Sequence, residues 1–169
     1  CDCGVCGGGE QCENSQCVPV TTPTWTDPSS GLEWQNPSAE NKMNWSEAKQ
    51  YCVNLSLGDH SDWHLPTIGE LRSLIRGCPT TESGGSCNIE QGDCLDLSCL
   101  DDSCKGCSYK NGPGEGGMYW PAEIQGDCCF HWSSSAVMDS GYYSAWGVGF
   151  SNGGVSCSVD MFRPFRCVR

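Results

Sequence analysis

Sixteen of the 169 residues are cysteine, and no other feature constrains the fold as strongly. In a reducing cytosol so many thiols would be open to oxidation and mispairing. The economical reading is therefore an oxidising compartment in which most of them are paired. The chain is read as extracellular or cell-surface. No apolar run approaches the ~18 residues needed to cross a bilayer as a helix. No export signal is present in this sequence, so a disulfide-rich chain of this kind is expected to be a mature product or a fragment. Cys1 has two readings, the acylated cysteine of a lipoprotein and an ordinary half-cystine at a trimmed end; the dense Cys1-Asp2-Cys3 context favours the second.

The cysteines are unevenly spread. Residues 1–18 hold five of them with four glycines and almost no apolar side chains, so cross-links rather than a core must shape this knot, which is loosely EGF-like. Residues 19–24, PVTTPT, read as a stiff extended linker. The main domain is expected over 25–169, interrupted at 78–130 by a segment with eight cysteines and few large aliphatics. That segment is expected to be irregular, to bury little, and to be held by about four disulfides, or fewer if some of its cysteines pair outside it.

Within the main domain the local signals are sharper. Asp27-Pro28-Ser29-Ser30-Gly31 is turn chemistry between two aromatic-bearing runs, predicting a β-hairpin over 25–35. Asn44-Trp45-Ser46-Glu47 has the form of a capping box, and Trp45, Ala48, Cys52 and Leu55 follow at helical spacing, predicting a helix that ends near Leu57-Gly58. Thr67-Ile68-Gly69-Glu70 repeats the signal, with Leu71, Leu74 and Ile75 as a buried stripe and Gly77 as the stop. Trp146, Val148 and Phe150, then Asn152-Gly153, then Val155, Cys157 and Val159 predict a second hairpin with those apolar positions inward. Residues 165–169 read as a closing strand. Strands and two short helices in this order indicate an α+β fold.

Several of these segments together resemble the DUF1566 family, also called Lcl C-terminal domains after a collagen-like bacterial adhesin. The resemblance rests on Asp27 to Gln35, Trp45-Ser46-Glu47-Ala48 through Tyr51-Cys52, Ser61 to Ile68 with Glu70-Leu71, Trp132 to Ser135, Ala145 to Phe150 with Asn152-Gly153, and Arg166 to Arg169. It implies a C-type-lectin-like fold, related to the formylglycine-generating-enzyme fold, with two helices and terminal strands brought together. It further implies a disulfide between the first helix and the last strand, which Cys52 and Cys167 would make. His64 stands where the family pattern leads one to expect arginine, which puts that arginine's ion pair in doubt here.

A formal net charge of -12 repels a phosphate backbone, which argues against nucleic acid and suits divalent cations or basic partners. Cofactors are not required by any motif. Asp93, Asp96, Asp101 and Asp102 crowd the insertion and are candidate calcium ligands, weighed against a solvated acidic surface. Cys3-x-x-Cys6 and Cys104-x-x-Cys107 have zinc-ligand spacing, but in this cysteine-rich context disulfides are the better reading. The vicinal Cys128-Cys129 pair is either redox-active or, as neighbours more often do, bonded to two different partners. His60, Asp62 and a nearby serine are too common a combination to be a triad, and no active site is expected.

The stretch 136–162 is rich in Tyr, Ser, Asn and Asp, side chains that combine stacking area with adaptable hydrogen bonds. Asp139, Tyr142, Tyr143, Asn152 and Asp160 are the candidate contacts for a surface glycan or protein; the competing reading is the wet face of an alternating sheet. The function expected is non-catalytic recognition or adhesion. The alternatives are a structural part of an extracellular assembly of several chains and, more remotely, a redox or metal enzyme.

Overall fold

The computed structural model describes residues 10–13, 16–19, 23–90, 94–138, 144–159 and 161–169, the first two segments as backbone alone. There, strands β1 (Glu10–Glu13) and β2 (Gln16–Pro19) pair antiparallel, placing Cys12 opposite Cys17.

The expected hairpin joins β3 (Thr24–Thr26) to β4 (Glu33–Gln35). Its turn is organised by the buried Asp27 carboxylate, which accepts from Ser29 N (3.0 Å) and Ser30 Oγ (2.9 Å) and is paired with Arg76 (3.0 Å). The C-terminal tail lies beside this hairpin. Gln35 N donates to Cys167 O (2.9 Å), and His64 and Val168 exchange backbone bonds of 2.9 Å. Val168 thereby bridges Trp34 on one side and His64 on the other.

Both helices start where their capping boxes stand. Helix α1 (Trp45–Val53) is capped by Asn44 with Glu47 reciprocating, and buries Ala48 and Cys52. It stops earlier than the periodicity suggested. Leu57 and His60 bond each other's backbones (3.0 and 3.1 Å) across a tight turn in which Gly58 and Asp59 have positive φ, a geometry no helix can contain. Helix α2 (Ile68–Arg72) is capped by Thr67 and Glu70, and Leu71, Leu74 and Ile75 are buried.

The third sheet has the order β5-β6-β7, from Phe130–Ala136, Ser144–Gly149 and Gly154–Val159, all antiparallel. Central β6 does not alternate. Ser144 through Val148 are all buried, because both faces are covered. In β7 Val155 is buried but Val159 is 54% exposed, against the inward expectation, because the core ends before the tip of this edge strand.

The segment 78–130 departs most from expectation. Among the described residues three disulfides hold it, Cys78–Cys107, Cys87–Cys104 and Cys94–Cys99. It also supplies much of the core. Ile89, Met118, Tyr119, Trp120 and Ile124 are buried in the same cluster as Leu71, Trp146 and Phe150. Tyrosine, tryptophan and methionine make up the area that a count of aliphatics missed. Arg72 of α2, also buried, donates to the carbonyls of Thr81 (2.9 Å), Ile89 (2.5 Å) and Glu82 (2.9 Å) and pairs with Glu90 (2.9 Å). A second core cluster gathers Trp63, Leu65, Trp132, Phe165 and Ala48 around the Cys52–Cys167 disulfide. That is the pairing the family resemblance implied.

Candidate functional site

Of the five candidate contacts, Asn152 alone lies among the described residues. Asn152 sits in the β6–β7 turn at one end of the sheet, and its polar atoms are used internally. Nδ2 donates to Lys105 O (2.9 Å), Oδ1 accepts from Gly154 N (3.2 Å), and its own carbonyl accepts from Cys107 N (2.7 Å). Gly106 is forced by this docking: a Cβ there would lie 2.5 Å from Asn152 O and 2.6 Å from Gly154 N. Asn152 therefore fastens the insertion to the hairpin. Alongside runs a groove of about 460 Å3 lined by Leu100, Asp101, Asp102, Lys105, Asn152 and Ser156, among others.

Asp139, Tyr142, Tyr143 and Asp160 lie outside the described residues. Their described neighbours converge at the opposite end of the sheet. Val137 N donates to Ser144 O (3.0 Å), and Ser144 stands opposite Val159. The flanks of both connections, Met138 at 56% exposure, Val159 at 54%, Met161 at 49% and Phe162 at 67%, leave large apolar side chains in water. Exposed apolar residues are unremarkable singly and informative when grouped.

Of the acidic candidates, Asp93 is outside the described residues. Asp96 Oδ1 accepts from Ser98 N (2.7 Å), capping the 3-10 turn Leu97–Cys99. Asp101 Oδ1 accepts from Ser103 N (2.8 Å) and Oγ (2.5 Å) at the start of Asp102–Lys105, and Asp102 pairs with Lys105 (2.7 Å). Hydrogen bonds from Ser103 and Ser98 hold the Asp101 and Asp96 carboxyls below the ordinary range. Among the described residues no group of three or more His, Cys, Asp or Glu is arranged to hold a metal ion.

The histidines have separate surroundings. His64 Nε2 lies 3.2 Å from both oxygens of Glu70, and the two form an ion pair when the imidazole is protonated. The Glu70 bond raises the His64 pKa, burial opposing it. His60 Nε2 is 4.0 Å from Glu33, and the Asp62 carboxylate is taken by Arg169 Nε (2.7 Å). His131 is fully buried against Trp120 and Phe150. Burial first, then nearby Arg166, pushes its pKa down to about 3. Arg166, buried too, donates to Gln35 O (3.1 Å) and Gln125 O (3.0 Å), and desolvation lowers its pKa to about 9.

Three described cysteines, Cys128, Cys129 and Cys157, are unpaired. The expectation that Cys128 and Cys129 bond to two different partners is thus overturned. Their sulfurs point at one another instead, 2.7 Å apart, because Cys129 takes a left-handed backbone (φ 88°).

The family model described as the Lcl C-terminal domain matches residues 23–169. No curated protein and no solved structure matches the chain.

Proposed function

The chain belongs to the Lcl C-terminal domain family, and we propose that it is an exported, non-catalytic recognition or adhesion module. It takes a glycan or protein ligand at the end of the three-stranded sheet where Val137 bonds to Ser144 and Ser144 stands opposite Val159. The observation that carries this reading is the group of exposed apolar side chains Met138, Val159, Met161 and Phe162 flanking residues 139–143 and 160 in the chain. With Tyr142 and Tyr143 added from the sequence, such a rim offers stacking surface, and Asp139 and Asp160 offer hydrogen-bond acceptors. Loops carried on a rigid, cross-linked scaffold are the usual home of recognition. On this reading the head has a C-type-lectin-like fold spanning 25–169, mounted on the N-terminal knot through the 19–24 linker. Any calcium requirement centres on Asp93 and the carboxylates near it.

A glycan array run with and without chelator, on the natural protein and on Tyr142→Ala/Tyr143→Ala, tests the proposal. Binding that the double substitution abolishes while the far-ultraviolet spectrum is unchanged supports it. Loss of binding with chelator would add the cation. Absence of binding, together with Phe162 and Met161 protected from solvent labelling in a larger assembly, would transfer the role to a structural subunit.

A further inference from the structure

We infer that Cys128 and Cys129 form a thiol–disulfide redox site: in the exported protein they close into a vicinal disulfide by exchange with a low-molecular-weight disulfide, and a thiol reductant reopens them. The inference is independent of the proposed ligand site, since Phe130 opposite Gly149 places the pair at the turn end of the sheet, away from the end where Ser144 stands opposite Val159.

Four observations carry it. The two sulfurs already face each other at 2.7 Å. The backbone of Cys129 has φ 88°, a left-handed conformation that a cysteine adopts only when its surroundings impose it. The surroundings are fixed on both sides: Asp127 pairs with Lys42 (2.9 Å) and bonds through its N–H to Ser38 Oγ (3.1 Å), while Cys129 O accepts from Phe150 N (3.0 Å). Finally, no other described sulfur competes. Cys157 stands opposite Trp146, three residues along β6 from the partner of Phe130 and on the far side of β6. That offset is more than ~10 Å, beyond what a disulfide spans.

The chemistry balances without further components. The Cys128 thiolate attacks one sulfur of the small disulfide and expels one thiol. Cys129, after losing its proton, attacks the mixed disulfide at the Cys128 sulfur and expels the second. One protein dithiol and one small disulfide thus become one protein disulfide and two small thiols. Hydrogen bonding to Cys128, with burial adding to it, pushes the Cys129 thiol up to about 11, so Cys129 is the sulfur that gives up its proton at the ring-closing step. Ring closure holds Cys129 in its left-handed conformation, and with it the Cys129–Phe150 bond at the entry to β5.

Cleavage before aspartates releases residues 127–138, which contain no other cysteine. The native protein, denatured in iodoacetamide without reductant, should give this fragment unlabelled and about 2 Da lighter than the dithiol. Mild reduction should add two labels. Re-exposure to oxidised glutathione should close the ring again and release two glutathione thiols per pair. In a Cys128→Ser variant the remaining Cys129 should be labelled once without reduction. Two labels on the natural fragment before reduction, recovery of the fragment joined to another cysteine-containing fragment, or a persistent mixed disulfide with glutathione would each overturn the inference.

Discussion

Replacing Cys52 and Cys167 together by alanine should remove more stability than replacing Cys94 and Cys99, although each change deletes one bond. The first disulfide joins residues 115 apart, of which 29 are bypassed by Cys78–Cys107, leaving a newly closed loop of about 86 residues. Restricting such a loop in the unfolded chain is worth about 4.6 kcal/mol at 25 °C. Cys94 and Cys99 are 5 apart, and the same relation gives about 2 kcal/mol. Both Cys52 and Cys167 are buried, so truncating them adds a packing loss in the same direction. For a domain whose whole stability is about 5–15 kcal/mol, the first loss brings the fold close to its limit. Urea unfolding of both double variants and the natural protein, followed by tryptophan fluorescence, measures the two losses. A Cys52/Cys167 loss below that of Cys94/Cys99, or a gap between them under about 1 kcal/mol, would refute the loop argument.

Two pH effects follow from the histidines, with opposite signs. The folded pKa of His131, about 3, lies below the unfolded value of about 6.5. Its contribution is therefore intact above pH ~6.5 and is lost as pH falls toward 3, by at most about 1.4 kcal/mol per pH unit. Urea midpoints at pH 7, 6 and 5 should drop faster for the natural protein than for His131→Phe, which keeps the ring against Trp120 and Phe150; parallel declines would contradict this. The folded pKa of His64 is raised by Glu70, so that contribution is full below the unfolded pKa and is lost as pH rises through the folded one. Its side chain is 44% exposed, so solvent screening keeps the pair under about 1 kcal/mol. His64→Gln should accordingly cost most near pH 6 and little by pH 9, and an equal cost at both would show that the ring matters only by packing.

What was legible in the sequence was local. The capping boxes at Asn44 and Thr67 and the Asp27 turn involve atoms within three residues of each other, so their chemistry is written in short strings. The Asn152-Gly153 turn was legible too, but the use of Asn152 was not. Its partner Lys105 is 47 residues away, and polarity alone reads as a contact surface. Arg72 was missed for the same reason. A charged residue on a short helix normally faces water, and it is buried here only because the insertion offers three carbonyls and Glu90. Tyr119 and Trp120 stand among glycines with no periodicity to mark them, so only the assembled core shows that they are inside.

The bracing is one-sided, and that asymmetry bears on how the module would bind. Cys78–Cys107 and Cys87–Cys104 fix the segment whose Lys105, Cys107 and Lys110 backbones bond to Ser151 and Asn152. The turn end of the sheet is thus pinned from several directions. At the other end, among the described residues, no disulfide joins the flanks of 139–143, and the nearby apolar side chains stay in water. A scaffold braced by covalent links before any ligand arrives keeps the entropic cost of association low. The cross-links and the proposed ligand surface would therefore change independently. On the proposed reading, substitutions at 139–143 should change affinity, whereas substitutions at Gly106, Asn152 or Arg72 should change the frame, whose contacts are internal.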